Sequence, residues 1–269
     1  MSSTPEEVKS TARKAWSAVS YDALGALLLP AAVRLVDACA ISAGQEILDV
    51  AAGHGNLAIT AAAEGAAVTA SDITPAMVER GKARSAEEGV EIDWVEADVE
   101  QLPFEDASFD CVASVFGAML APQPERVAAE LFRVVRPGNT VGMANWVPDG
   151  FIARLLEARE QFLSRPDWMS SPTLWGDPDV VAERFDGLAG SLTTERDSLR
   201  CEFDSPEEMA DWFSRNAGNE ALARERLGEA VYGEMRESML GLIGEFGGVA
   251  GEPVAIDCEY LVVVARRRG

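Results

Sequence analysis

Asp49-Val50-Ala51-Ala52-Gly53-His54-Gly55-Asn56 decides how this chain is read. The stretch overlaps Glu46 to Ala51, a short apolar run with β-branched members that reads as a strand, and leads into Gly53 to Glu64, which is Ala-rich and reads as a helix. Glycines at a strand-to-helix turn let the backbone come close to a ligand, and the first N–H groups of the helix are free to meet it. Taken alone, Gly53-x-Gly55-x-x-Ala58 also fits a dinucleotide fingerprint. Asp72 follows seventeen residues past Gly55, at the end of the next strand, where a carboxylate can accept from two ribose hydroxyls. A nicotinamide-dependent oxidoreductase is therefore one reading.

Outward from this loop, strands and helices alternate. Ala67 to Ser71, Glu91 to Ala97, Phe109 to Phe116 and Thr140 to Trp146 read as strands. Pro75 to Glu88, ended by Gly89, and Glu125 to Val135, stopped by Pro137-Gly138, read as helices. Alternation of this kind predicts a parallel sheet covered on both faces, with ligands bound at the carboxyl ends of the strands. Before it, Pro5 to Val19 and Leu24 to Cys39 are helical, the first opened by the capping sequence Thr4-Pro5-Glu6-Glu7.

After Trp146 the pattern changes. Phe151 to Leu163, Asp177 to Phe185, Ser205 to Arg215 and Asn219 to Phe246 read as helices, the last weakened by Gly228, Gly233, Gly241 and Gly244. Ser164 to Gly176 reads as irregular, Ser191 to Phe203 as a strand, and Ile256 to Ala265 as a strong final strand. The expectation is an α/β, Rossmann-like, seven-stranded and mostly parallel sheet with its last strand antiparallel. Residues 1–40 form an N-terminal helical lid, 41–147 the cofactor-binding core, and 148–269 a cover and closing strands of the same domain.

Two acids argue against a dinucleotide. Asp49 ends the first strand beside the loop, where a carboxylate repels a pyrophosphate and suits an ammonium or sulfonium. Asp98, after the third strand in Glu96-Ala97-Asp98-Val99, is placed to accept from an adenine amino group. A cationic, phosphate-free adenosine ligand fits all three acids, namely S-adenosyl-L-methionine, with S-adenosyl-L-homocysteine as its product.

On these residues the chain resembles the class I S-adenosylmethionine-dependent methyltransferases, in the subgroup around the ubiquinone/menaquinone C-methyltransferases. The likeness is strong over about residues 44 to 146. The D/E-x-G-x-G-x-G loop stands here as Asp49-x-Ala51-x-Gly53-x-Gly55, with alanine for the first glycine, which is tolerable if its φ is negative. Asp98-Val99 with Leu102-Pro103-Phe104 matches the adenine motif, Phe109-Asp110 to Ser114 the fourth strand, and Arg133-Val134-Val135-Arg136-Pro137-Gly138-Asn139 the motif that opens the fifth.

The resemblance implies roles. Asp49 anchors the loop near the methionyl ammonium, Gly53 and Gly55 line the methionine moiety, and Asp72 binds the ribose. Ile73 and Met77 pack on the adenine, Asp98 meets its amino group and Val99 its ring. Ser114 and Val115 offer a carbonyl to the ammonium. Tyr21 either contacts ligand or packs, Trp146 is a pocket wall or core, and His54 packs the loop or contacts the cofactor in preference to acting as a base. Trp168, Trp175, Trp212 and Phe213 are expected in the core of the cover. No residue is assigned a catalytic role.

Composition narrows the partners. Lys and Arg total 23 against 45 Asp and Glu, a net charge of −22. That field opposes a nucleic-acid backbone. A small-molecule acceptor is expected, with no nucleic acid and no membrane span. Cys39, Cys111, Cys201 and Cys258 lie far apart in sequence and His54 is the sole histidine, so free buried thiols and no metal are expected. The N-terminus carries no secretory signal, which gives a cytoplasmic expectation. No oligomeric state follows. The alternatives are a small-molecule methyltransferase, a cofactor-binding regulatory protein without turnover, and the nicotinamide enzyme.

Overall fold

Helix α1 (Pro5–Ala18) starts where the capping sequence places it: Glu7 N–H donates to the Thr4 hydroxyl, and the Glu7 carboxylate accepts from Thr4 N–H. The computed structural model describes residues 3–217 and 220–269, apart from the side chains of Glu220 and Ala221. The N-terminal Met1-Ser2, and Asn219 as the expected start of the last helix, lie outside the described residues.

Helix α2 (Asp22–Ala38) precedes strand β1 (Glu46–Val50). Then follow α3 (Asn56–Ala63), β2 (Ala67–Asp72), α4 (Pro75–Glu88), β3 (Ile92–Glu96), β4 (Phe109–Val115), α5 (Pro124–Val134) and β5 (Val135–Trp146). The cover comprises α6 (Phe151–Glu160), α7 (Pro178–Arg184), β6 (Ala189–Phe203), α8 (Pro206–Asn216) and α9 (Glu220–Glu245), before β7 (Val254–Arg267). The stretch read as irregular contains a short 3-10 turn at Pro172–Gly176. Gly228 interrupts α9 with a non-helical φ of 73° and ψ of 162°, so one of the four glycines suspected there does break the helix.

The seven strands lie in the order β3-β2-β1-β4-β5-β7-β6. Strands β1 to β5 pair in parallel, whereas β7 runs antiparallel to both β5 and β6. The Rossmann-like reading with an antiparallel last strand is therefore observed. Thr140 through Asn145 of β5 are buried without alternation, as a strand covered on both faces requires. One departure concerns Pro137-Gly138. It does not separate helix from strand, since β5 begins directly after α5, and the irregularity appears instead as a register shift opposite β4.

Arg133 explains why its motif is where it is. Its guanidinium donates to the Leu102 and Phe104 carbonyls and pairs with Glu130 and Asp106, fixing the loop after β3. Among the described residues no single helix is long and apolar enough to cross a membrane.

Candidate active site

The strand order reverses between β1 and β4, and a crevice opens at their carboxyl ends. It holds a cavity of about 250 Å³ roofed by α1, α6, α8 and α9.

The loop between β1 and α3 forms its floor. Asp49 lies beneath it, 2% exposed, accepting from Ala58 N–H at 3.0 Å. Burial pushes this carboxyl up to about 8; the Ala58 N–H opposes the shift and the nearby Asp72 charge adds to it. Asp72 joins two loops, accepting from Gly53 N–H at 2.9 Å and Thr74 N–H at 2.8 Å. Burial raises its carboxyl as well, against those two hydrogen bonds. Gly55 takes a φ of 90°, and a Cβ there would fall 2.8 Å from the Trp94 ring, so only glycine fits.

Ala51 is a correction. Its φ is +52°, in the left-handed region, not the negative value that sequence reasoning made the condition for alanine. Phe116, at the tip of β4, is left-handed too, with φ +58°. The two turns meet at Gly117, which packs against Ala51.

Tyr21, Ala51, Gly53 and Asp72 line the cavity, as do Ile73 and Met77. Asp98, Val99 and Trp146 also line it. Asp49, Gly55, Ser114 and Val115 are set behind this lining. Ser114 donates to the Val50 carbonyl and accepts from Ala118 N–H, so it ties β1 to the turn after β4. Tyr21 packs edge-on to His54 at 4.7 Å, and burial together with the Asp72 and Asp49 charges holds its phenol well above its ordinary value.

His54 is buried and packs the loop from outside the cavity. It accepts from Arg84 at 3.1 Å, and Arg84 also donates to Asn56. Burial first and then the Arg84 charge depress it to about 4. It is a neutral packing group at physiological pH.

Asp98 is engaged by a residue that the sequence did not suggest. Lys9 of α1 reaches across the cavity to Asp98 at 2.6 Å and Glu100 at 2.5 Å. Burial alone would depress the Lys9 ammonium, but the bonds to both acids outweigh it and push it up. Arg13 donates to the Ile73 carbonyl, and Arg80 of α4 to the carbonyls of Val19 and Ser17, so α1 is tied down along its length.

The other end of the cavity is apolar. Trp146 stacks on Phe116 with ring centroids 3.9 Å apart, and Tyr260 meets both edge-on. Phe213, Met235 and Met239 extend this wall, so Phe213 faces the cavity as well as packing in the cover. Trp175 is core, 1% exposed, as expected, whereas Trp168 is 41% exposed and donates its indole N–H to the Ser3 carbonyl. It caps the N-terminal segment from outside and has no place in the core. Arg159, Ser214 and Tyr232 line this end without any motif to announce them. All four cysteines are free and buried, with the Sγ atoms of Cys201 and Cys258 3.0 Å apart.

A methyltransferase-domain family model matches residues 47–138. Rv1403c of Mycobacterium tuberculosis is 36% identical over 263 residues, covering 96% of this chain and 94% of that protein. The demethylmenaquinone methyltransferase of Clavibacter sepedonicus is 40% identical over 109 residues, 40% of this chain and 44% of that enzyme. The chain belongs to the class I S-adenosylmethionine-dependent methyltransferases. The structure of the Bacillus subtilis YcgJ protein shares the methyltransferase's fold, with a TM-score of 0.66 at 18% identity over 89% of this chain and 99% of that one. The match to the demethylmenaquinone methyltransferase takes in less than half of either chain, whereas the match to Rv1403c runs nearly end to end. The dinucleotide reading of the glycine loop falls with this membership.

Proposed function

We propose that this methyltransferase binds S-adenosyl-L-methionine along the tips of β1, β2 and β3 and transfers its methyl group in line to a small-molecule acceptor held in the apolar end of the same cavity. The observation that carries the proposal is the division of one cavity into two chemistries. Acids on strand tips, Asp72 and Asp98, stand at one end, and a wall of Trp146, Phe213, Met235 and Met239 stands at the other.

The residues at the strand tips fit this cofactor. Asp72 has accepted only two backbone N–H groups, which leaves carboxylate lone pairs for ribose hydroxyls. Asp98 likewise keeps capacity for an adenine amino group beside its contacts to Lys9 and Glu100 N–H. Ile73, Met77 and Val99 offer apolar surface for the ring. Gly53 presents its backbone under the Tyr21 ring, in a space that a Cβ would narrow to 3.2 Å. Asp49, Gly55, Ser114 and Val115 serve by holding that backbone in shape. When bound, the cofactor supplies a methyl group already activated on a sulfonium.

The protein's own work is to orient and to exclude water. No carboxylate lines the apolar end among the described residues, and His54 faces elsewhere. An acceptor with a free lone pair needs no base there, and one that must lose a proton would arrive ionised or give it to a phenol such as Tyr232.

Calorimetry with S-adenosyl-L-homocysteine, beside reduced nicotinamide dinucleotide, tests the cofactor half. Binding of the first alone is expected, and binding of the second alone overturns the reading. Transfer of labelled methyl to a small-molecule panel, but not to RNA or protein, tests the acceptor half.

A further inference from the structure

The segment between Cys201 and Cys258 carries α8 and α9, which roof the apolar end of the cavity, and the two ends of that segment meet through their thiols. In the β6–β7 ladder Cys201 stands opposite Ile256 and Cys258 opposite Leu199, so the two cysteines are diagonal neighbours on one face. Their Sγ atoms are 3.0 Å apart. A disulfide needs about 2.05 Å, a closure of about 1 Å. Diagonal positions have Cα atoms about 7–8 Å apart, just beyond the usual disulfide range, so the strands must draw slightly together. They can do so here, because the ladder ends two pairs further on, at Phe203 and Val254, and pairing opens most readily at strand ends.

The two thiols are not equivalent. Cys201 lines the cavity, whereas Cys258 is fully buried beside it and is not part of the lining. The hydrogen bond from Cys258 holds the Cys201 thiol below its ordinary value, against the effect of burial. The same bond, with burial acting alongside it, pushes Cys258 up. Cys201 is thus the sulfur that ionises, and the thiolate is the reactive form. The other two cysteines, Cys39 and Cys111, also contact each other, but Cys39 is packed against Gly142 of β5 and neither lines the cavity. A small oxidant entering the cavity meets Cys201 and not that second pair.

We propose that Cys201 and Cys258 are a modification site for hydroperoxides, whose oxidation to a disulfide ties together the two ends of the segment that roofs the apolar end of the cavity. The Cys201 thiolate attacks the outer peroxide oxygen and breaks the O–O bond. This gives a sulfenic acid and releases an alcohol, or water from hydrogen peroxide. The Cys258 sulfur then attacks the Cys201 sulfur. The S–S bond forms, the S–O bond breaks, and the hydroxyl leaves as water with the Cys258 proton. Two thiols and one hydroperoxide give one disulfide, one alcohol and one water; the two sulfurs lose one electron each and the peroxide gains both. This site goes beyond the methyl-transfer reading and does not depend on it.

Reduced protein treated with hydrogen peroxide, unfolded in urea and alkylated with N-ethylmaleimide tests this by intact mass and peptide mapping. The four free cysteines should all be alkylated before oxidation and only Cys39 and Cys111 after it, with a linked Cys201–Cys258 peptide that dithiothreitol releases. The oxidised protein should have the higher urea midpoint, because the bond closes a long loop of the unfolded chain. Cys258→Ser should leave Cys201 as a sulfenic acid that dimedone traps, and Cys201→Ser should leave Cys258 unmodified at the same peroxide concentration. Retention of four alkylated thiols in excess peroxide, earlier linkage of Cys39 with Cys111, or an oxidised form no more stable than the reduced one would overturn the proposal. If the serine variants do not fold, peptide mapping and the two urea midpoints of the wild-type protein decide it alone.

Discussion

The backbone oxygen of Ala51 lies 2.2 Å from the position that a Cβ on Gly117 would take. The turn after β1 and the turn after β4 are thus in backbone contact at the floor of the cavity. Gly117→Ala must push the two apart. Overpacking of this kind costs about 1–3 kcal/mol. The expected outcome is a folded protein with a lower urea midpoint and S-adenosyl-L-homocysteine affinity reduced at least tenfold. Unchanged affinity would mean that the contact does not shape the site.

Ala51 itself carries strain. A left-handed φ costs an L-residue roughly 1–2 kcal/mol, and glycine escapes most of that while losing about 0.5–1 kcal/mol in chain entropy. Ala51→Gly is therefore expected to raise stability by a few tenths to about 1 kcal/mol, read from urea unfolding. Destabilisation would show that the methyl group's packing outweighs the strain.

Lys9 neutralises two acids that would otherwise face each other with no cation between them. The Glu100 side chain is fully buried and accepts from Gln123 N–H and Nε2–H as well. Lys9→Met leaves that carboxylate with neutral donors only, at a cost on the order of 3 kcal/mol. Limited proteolysis should then cut within α1 faster than in the wild type, and S-adenosyl-L-homocysteine should bind more weakly. Equal cleavage rates would show that the ion pairs do not hold the helix down.

Asp72→Asn keeps the side chain's shape and one carbonyl oxygen but removes the charge and half of the acceptor capacity. Hydrogen bonds to charged groups are worth roughly 1.5–3 kcal/mol, so a loss of ten- to several-hundredfold in S-adenosyl-L-homocysteine affinity is expected by calorimetry. A variant that binds as tightly as the wild type would remove Asp72 from the ribose site.

Stability of the ligand-free protein depends on pH in two opposed ways. Asp49, raised from 3.8 to about 8, holds a proton in the folded state that the unfolded chain releases, so its contribution is full below pH 3.8 and is lost as pH rises to about 8. Asp72 is raised too and acts with the same sign. His54, lowered from 6.5 to about 4, contributes stability that grows as pH rises between those values. Between pH 4 and 6.5 Asp49 and His54 offset each other, and from pH 6.5 to 8 Asp49 acts without that offset. Stability should therefore fall over that upper interval by as much as about 1.4 kcal/mol per unit. His54→Gln should extend the fall down to pH 4. A flat urea midpoint between pH 6.5 and 8 would contradict the burial of Asp49 as a neutral acid.

What the sequence disclosed follows from where its signals are local. Strand runs, capping sequences and the acids at the ends of β1, β2 and β3 sit within a few residues of the features they create, so the sheet and the acids around its crevice were legible. Lys9 was not, because its meaning depends on an ion pair spanning 89 residues. Ala51 was misjudged for a related reason: its left-handed turn lies against Gly117 of a distant turn, a neighbour that the local sequence does not announce. Arg159 and Ser214 belong to no motif and meet the cavity only through the folding of α6 and α8 over the crevice. Trp168 was placed inside by its apolarity, but its indole N–H needs a partner, which it finds at Ser3 near the surface.

The order β5-β7-β6 has a consequence for how the chain comes off the ribosome. When β6 has emerged, the strand that must separate it from β5 has not yet been made. Both strands then present unpaired edges to the cell through the synthesis of two further helices, α8 and α9. Only translation of Val254–Arg267 closes the gap, supplying partners to both sides at once. A nascent chain stalled inside α9 is thus the species most exposed to aggregation and to chaperone capture, and a slow stretch of message placed just before β7 would lengthen its life.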